Sequence, residues 1–200
     1  MDLRLFGVAL AGACVVQSTS AAIVVTNNAA IWNAQVASAG MLVETENFNA
    51  IADGFYSSPF DGSTASVDWS ASASNGLYVQ GGVFSTNSPE TLSFSFTPGV
   101  RAVAGNFFGT DVDFGNASVI FTVQLSDGTA FVGIASSQTD FTGFRSTTAA
   151  TISSLTLTVE NAVDTQVVFP SVDNLYFGVP APGAVALLVA AGLIGYRRRR

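Results

Sequence analysis

The side chains best equipped for chemistry in this sequence are carboxylates. Glu44 and Glu46 alternate with Leu42 and Phe48, and Asp173 alternates with Leu175 and Phe177. Period-two spacing puts each acid on the strand face that its apolar neighbours would turn inward. A buried carboxylate without a partner is costly and has to be neutralised. Arg101 and Arg145 are the only cations in this part of the chain. A calcium ion, which takes about six to eight oxygen ligands in irregular geometry, is the better match. Glu44, Glu46 and Asp173 are therefore the candidate metal ligands. The competing expectation puts both glutamates on a solvated edge and has Asp173 cap a turn. A second oxygen cluster, Asp111 and Asp113, lies in the polar run Gly109-Thr110-Asp111-Val112-Asp113-Phe114-Gly115-Asn116. It lacks the terminal Glu of a 12-residue calcium loop and reads as solvated.

Other chemistry is excluded by composition. The 200 residues contain no His and no Lys, and Cys14 is the only cysteine. That removes Ser-His-Asp triads, His-ligated zinc and disulfides. With 48% apolar residues the chain is not disordered. Between residues 23 and 178 stand 13 acidic residues against two arginines, a net of −11, so no nucleic-acid partner is expected. Glycoside hydrolysis needs only two carboxylates about 5–10 Å apart, but pairs as common as Glu44/Glu46 and Asp111/Asp113 single out no such site. The expectation is a protein without catalysis. Aromatic rings could stack on sugars, and Tyr56, Trp69, Tyr78 and Tyr176 are the candidates. Trp69 alternates with Val67 and reads as core. Tyr56 lies in the irregular segment 55–60 and reads as exposed.

These groups have to be held by strands. After one helix the sequence is governed by period two. Leu92, Phe94 and Phe96 form one set; Val119, Phe121, Val123 and Leu125 another; Leu155, Leu157 and Val159 a third. Turn signals separate them at Asp53-Gly54, Asp61-Gly62, Asn75-Gly76, Gly81-Gly82, Pro98-Gly99 and Asp127-Gly128. Ser126-Asp127-Gly128 between Leu125 and Phe131 predicts a hairpin. The helix is predicted over Ala29–Ala37, capped by Asn28 and ended by Gly40, with Trp32 and Val36 on one stripe. Residues 23–178 are predicted to form one all-β domain: an antiparallel β-sandwich or jelly roll of eight to ten strands with one short N-terminal helix. The 16 phenylalanines would fill the space between its sheets.

Both ends read as targeting segments. Residues 1–22 carry Arg4, an apolar run from Leu5 to Val16, and Ser20 and Ala22 at small-residue positions, the pattern of a secretory signal peptide. A lipoprotein reading would use Ala11-Gly12-Ala13-Cys14 but lacks the Leu expected before the cysteine. At the other end, Val179-Pro180-Ala181-Pro182-Gly183 precedes an apolar run through Tyr196 and then Arg197, Arg198, Arg199 and Arg200. As a helix that run spans roughly 21 Å, short for a bilayer but long enough with thinning and arginine snorkelling. Arginine clusters stay cytoplasmic, so the domain would face outward.

Residues 179–200, with Pro180, Ala181, Pro182 and Gly183, then the single transmembrane helix, then the arginine cluster, resemble the PEP-CTERM sorting signal. Ala181 stands where that family most often has Glu. The resemblance implies recognition by an exosortase, insertion of residues 184–196 in the bilayer, cleavage in or near Pro180 to Pro182, and a place in exopolysaccharide or biofilm matrix. Val43-Glu44-Thr45-Glu46-Asn47-Phe48 and Val172-Asp173-Asn174-Leu175-Tyr176-Phe177 are similar to the terminal strands of galactose-binding-like jelly rolls, among them many carbohydrate-binding modules. That similarity implies side-by-side terminal strands and a structural calcium on Glu44, Glu46 and Asp173. The function expected is thus a secreted, membrane-tethered surface or matrix protein. The alternatives are a carbohydrate-binding module with calcium and, behind it, a glycoside hydrolase.

Overall fold

The computed structural model describes residues 22–163, 165–181 and 183. The expected signal peptide up to residue 21, Cys14, Pro182, the apolar run 184–196 and Arg197 to Arg200 lie outside the described residues. Among the described residues no helix is long and apolar enough to cross a membrane.

The chain opens with β1 (Ile23–Thr26) and α1 (Ala29–Ser38), followed by β2 (Met41–Glu46), β3 (Gly54–Tyr56), β4 (Phe60–Ser63) and β5 (Asp68–Ser72). Next come β6 (Leu77–Gln80), β7 (Val83–Thr86), β8 (Leu92–Phe96), β9 (Ala102–Thr110) and β10 (Asn116–Ala117). The last five strands are β11 (Val119–Leu125), β12 (Ala130–Ala135), β13 (Phe141–Ser146), β14 (Ser154–Asn161) and β15 (Phe169–Pro180). All pairings are antiparallel. The larger sheet runs β1-β13-β9-β15-β7-β6-β3, with β2 also on β15 and β10 on β9; the smaller runs β12-β11-β14-β8-β5-β4. The two sheets form the expected sandwich. Among the described residues fifteen strands replace the expected eight to ten, because short pieces such as β3, β4 and β10 show too few residues to display a period.

The period-two sets behave as their spacing predicts. Leu92, Phe94 and Phe96 of β8, Val119, Phe121, Val123 and Leu125 of β11, and Leu155 and Leu157 of β14 are all buried between the sheets. From the larger sheet they meet Val79, Phe84, Val103, Phe107, Phe144, Val172, Leu175 and Phe177. The hairpin at Asp127-Gly128 forms, with Gly128 at φ 88° and β11 paired to β12 from Val119↔Ala135 to Gln124↔Ala130. The first long strand and the last do lie side by side, Leu175↔Glu46 through Pro180↔Met41. β15 continues to Pro180, two residues past the expected domain end at 178, and Ala181 N–H still donates to Gly40 O at 3.1 Å.

Helix α1 begins as predicted: Asn28 Oδ1 accepts from Ile31 N at 3.1 Å, satisfying one of the donors a helix start leaves open. Trp32 and Val36 are fully buried. They press onto the outer face of the larger sheet, where Met41, Ala102 and Ala104 complete a second small core with Phe141 and Tyr176 against it. Small residues make this seat. A Cβ at Gly143 would stand 2.3 Å from Trp32 Cδ1, and one at Gly178 would stand 3.2 Å from Val36 Cγ1. The indole N–H is placed toward Phe144 O at 3.4 Å.

Gly143→Ala is therefore expected to lift Trp32 off the sheet and cost about 1–3 kcal/mol, the usual toll of overpacking. Urea unfolding followed by Trp fluorescence measures it; an unchanged midpoint would mean the helix docks loosely.

Candidate functional site

The predicted acids are partnered by neutral donors. Glu44 reaches from β2 to the β4–β5 hairpin of the smaller sheet, accepting from the hydroxyls of Thr64 and Ser66 and from Ser66 N at 2.9 Å. Desolvation pushes its carboxyl upward, but the Ser66 hydroxyl, the Thr64 hydroxyl and the Ser66 amide together outweigh this and leave it below the ordinary value. Glu46 accepts from Phe48 N at 2.8 Å and from Trp69 Nε1 at 3.2 Å. Both glutamates thus tie the larger sheet to the smaller one.

Asp173 goes elsewhere. Asn174 adopts φ 51° and the β15–β9 register shifts between Asp173 and Tyr176. This bulge breaks the period, so Leu175 and Phe177 stay in the core while Asp173 turns to the outer face, opposite Asn106. The expected calcium trio is corrected accordingly: a one-residue bulge sends Asp173 through to the other side of the sheet from the glutamates. Among the described residues no three of His, Cys, Asp and Glu stand close enough to share an ion. Burial raises the Asp173 carboxyl above its ordinary value, against a hydrogen bond from the Asn174 backbone. Burial and then the Asp173 charge raise the Tyr176 phenol. Asp111 Oδ1 accepts from Asp113 N at 2.9 Å and Gly115 N at 2.7 Å, so it organises its own loop, and Asp113 is exposed.

The aromatics sort by strand face. Trp69 is 2% exposed and presents no ring face to a ligand. A broad depression of about 530 Å³ is lined by Asp61, Asp68, Ser70, Ser95 and Thr97 together with Trp69 and Phe96, and both of these rings are buried. Tyr56, expected to be exposed, packs its ring 4.9 Å from Phe60 and donates its hydroxyl to Ala52 O at 2.7 Å. Tyr176 packs 6.3 Å from Trp32, beside α1. Tyr56 is thereby corrected from an exposed sugar contact to a half-buried packing residue, and Trp69 is the core residue that its alternation with Val67 predicts: both point toward the space between the sheets.

Tyr78 is different. In Leu77-Tyr78-Val79-Gln80, Leu77 and Val79 are buried while Tyr78 and Gln80 point outward. Register aligns Phe55 with Tyr78, Tyr78 with Ser85, and Ser85 with Ser171 across the outer face of the larger sheet. The loop after β9 folds back over this row. Phe114, at φ 62°, brings its ring 5.4 Å from that of Tyr78. Beside this ring pair opens a groove of about 250 Å³ lined by Tyr78, Gln80, Ser85, Thr86, Asn87, Thr110, Asp111, Val112, Phe114 and Phe169. Phe55, 58% exposed, extends the aromatic strip toward the sheet edge. The groove offers ring faces, hydroxyls, amides and one carboxylate, and no cation. Such a surface can bind a polyhydroxylated ring. Sequence reasoning named Tyr78 but missed Phe55, Phe114 and Phe169. The signal for Phe55 was its parity against Tyr56; the irregular segment hid which of the two faced out.

No family model matches this sequence, and no curated protein matches it. Among solved structures it is similar to a mutant family 29 carbohydrate-binding module complexed with mannohexaose, at 11% identity and a TM-score of 0.37, covering 69% of this chain and 92% of that one. A further family 29 module gives 10% identity and a TM-score of 0.36, over 69% of this chain and 88% of that one. The CBM22-1 xylan-binding domain from Paenibacillus barcinonensis Xyn10C gives 17% identity and a TM-score of 0.30, over 68% and 94%.

Two outcomes follow from the acids. Glu46→Ala leaves the Trp69 indole N–H without its partner and is expected to cost about 1–3 kcal/mol, read by chemical denaturation. Asp173 has a folded pKa above its ordinary 3.8, so its ionised form opposes folding. Its contribution is most favourable below pH 3.8 and is lost as pH rises through the folded value. Asp173→Asn should then raise Tm by roughly 1–3 °C at pH 7 and give no gain at pH 3. An equal gain at both pH values would mean that charge is not the cause.

Proposed function

We propose that this chain is an exported, non-catalytic surface protein that holds polysaccharide in the groove lined by Tyr78 and Phe114. The observation that carries the reading is the groove itself. It sets aromatic faces beside buried hydroxyls on a sheet whose other outward aromatics are packed beside a helix. Sugars present apolar C–H faces and a rim of hydroxyls, so ring stacking together with neutral hydrogen bonds is the matching chemistry.

The sorting part of the proposal rests on sequence. The signal-peptide pattern of residues 1–22 and the Pro180-Ala181-Pro182-Gly183, apolar and arginine series at 179–200 support export, handling by an exosortase and anchoring through residues 184–196. A matrix or cell-surface location follows from that route and would bring the groove to exopolysaccharide.

Affinity electrophoresis through gels holding single polysaccharides tests the binding. Tyr78→Ala should lose retardation on a polysaccharide that slows the parent, weakening binding by about tenfold or more, in line with the ~1–3 kcal/mol commonly lost when a stacking aromatic is truncated. Retardation unchanged by Tyr78→Ala and by Phe114→Ala would remove the groove from the account. For the sorting signal, replacing Arg197 to Arg200 by Ser should change the membrane fraction or the mature mass; identical location and mass would refute it.

A further inference from the structure

The floor of the groove has a fixed hydrogen-bond direction. Ser85, Ser171 and Thr110 are each fully buried. Ser85 Oγ donates to Pro170 O at 3.1 Å. With its one proton placed there, it accepts from Ser171 Oγ at 2.9 Å. Phe169 O, at 3.2 Å, is a second acceptor for the Ser171 proton. Either choice leaves Ser171 able only to accept from Thr110 Oγ1, 2.9 Å away. The chain of protons therefore runs inward from Thr110 and ends on a carbonyl that cannot pass it on. A hydroxyl has one proton and two lone pairs, so the buried floor has no proton left to offer the groove. Asp111 puts a carboxylate on the groove wall, and the donors there are the Tyr78 hydroxyl and the neutral amides of Gln80 and Asn87.

We infer that the groove selects an uncharged sugar ring: its hydroxyls donate to Asp111, its ring face lies on Tyr78, and acidic sugars are rejected. This rests on the polysaccharide reading above. A uronate or phosphate brings its negative charge against the Asp111 carboxylate and finds no cation to desolvate against. At about 250 Å³ the space falls below the ~300–1,000 Å³ common for small-molecule sites, so it holds one ring of a chain.

The test uses pairs of polymers that differ only in the acid. The purified full chain, in detergent, is titrated with glucuronan, polygalacturonate and mannuronan and with the carboxyl-reduced form of each. The expected result is that at least one reduced polymer binds, and binds at least about tenfold tighter than its parent, a gap of about 1.4 kcal/mol. The gap should persist in 1 M NaCl, where the Debye length is about 3 Å and the net charge of the domain is screened. Asp111→Asn, which keeps an amide oxygen for its loop, should shrink that gap by about threefold or more with Tm kept within a few degrees. Equal or tighter binding of an acidic parent overturns the selectivity while leaving polysaccharide binding intact. So does a gap that vanishes in salt, since it would then belong to net charge. Failure of every neutral and acidic polymer to bind overturns the polysaccharide reading itself.

Discussion

Phe48 sits where the two sheets are joined, and the rest of the sandwich is organised around it. Its ring packs 5.1 Å from Phe84 of the larger sheet and 5.6 Å from Trp69 of the smaller. To get there the backbone takes φ 54°, a conformation that a bulky residue adopts only when its surroundings enforce it, at a cost of about 1–3 kcal/mol. Glu46 is what enforces it, because one carboxylate accepts both the Phe48 amide and the Trp69 indole. A chain with no disulfide to close it gains its cohesion here, from an aromatic cluster and a carboxylate that serves both layers.

The same constraint explains why the two glutamates misled the metal expectation. A carboxylate on an inward-leaning strand face does need neutralising, and that part of the reasoning stands. What the sequence could not display is that Thr64, Ser66 and Trp69 would deliver their donors from the other sheet. Those donors lie some 20 residues away, and nothing local marks them. Asp173 failed for a different reason. Strict alternation through 173, 175 and 177 holds only for an unbroken strand, and Asn174 adds the extra residue that reverses one side chain.

Where signals were local, the sequence was legible. The Asn28 cap, the Trp32/Val36 stripe, the Asp127-Gly128 hairpin and the buried faces of β8, β11 and β14 all depend on neighbours within a few positions. The groove depends on register. Phe55, Tyr78, Ser85 and Ser171 come from four strands, and Phe114 arrives on a loop. Each is unremarkable alone, so only the assembled sheet shows them as one surface. One outer face is thus divided between two uses: small residues under α1 make a seat for a helix, and larger aromatic and hydroxyl residues beyond the bulge leave open space.

The twelve-residue strand β15 gives the fold a mechanical property. It is the central strand of its sheet, bonded to β9 along one side and to β7 and then β2 along the other, and at its exit Pro180 is still paired with Met41 of β2. Tension drawn through that exit runs parallel to the strand. The hydrogen bonds on both flanks are then loaded together in shear, so they must rupture collectively instead of peeling one after another. A domain tugged from this end resists as a block, while the groove, carried on the opposite half of the same strand, keeps its shape under the pull.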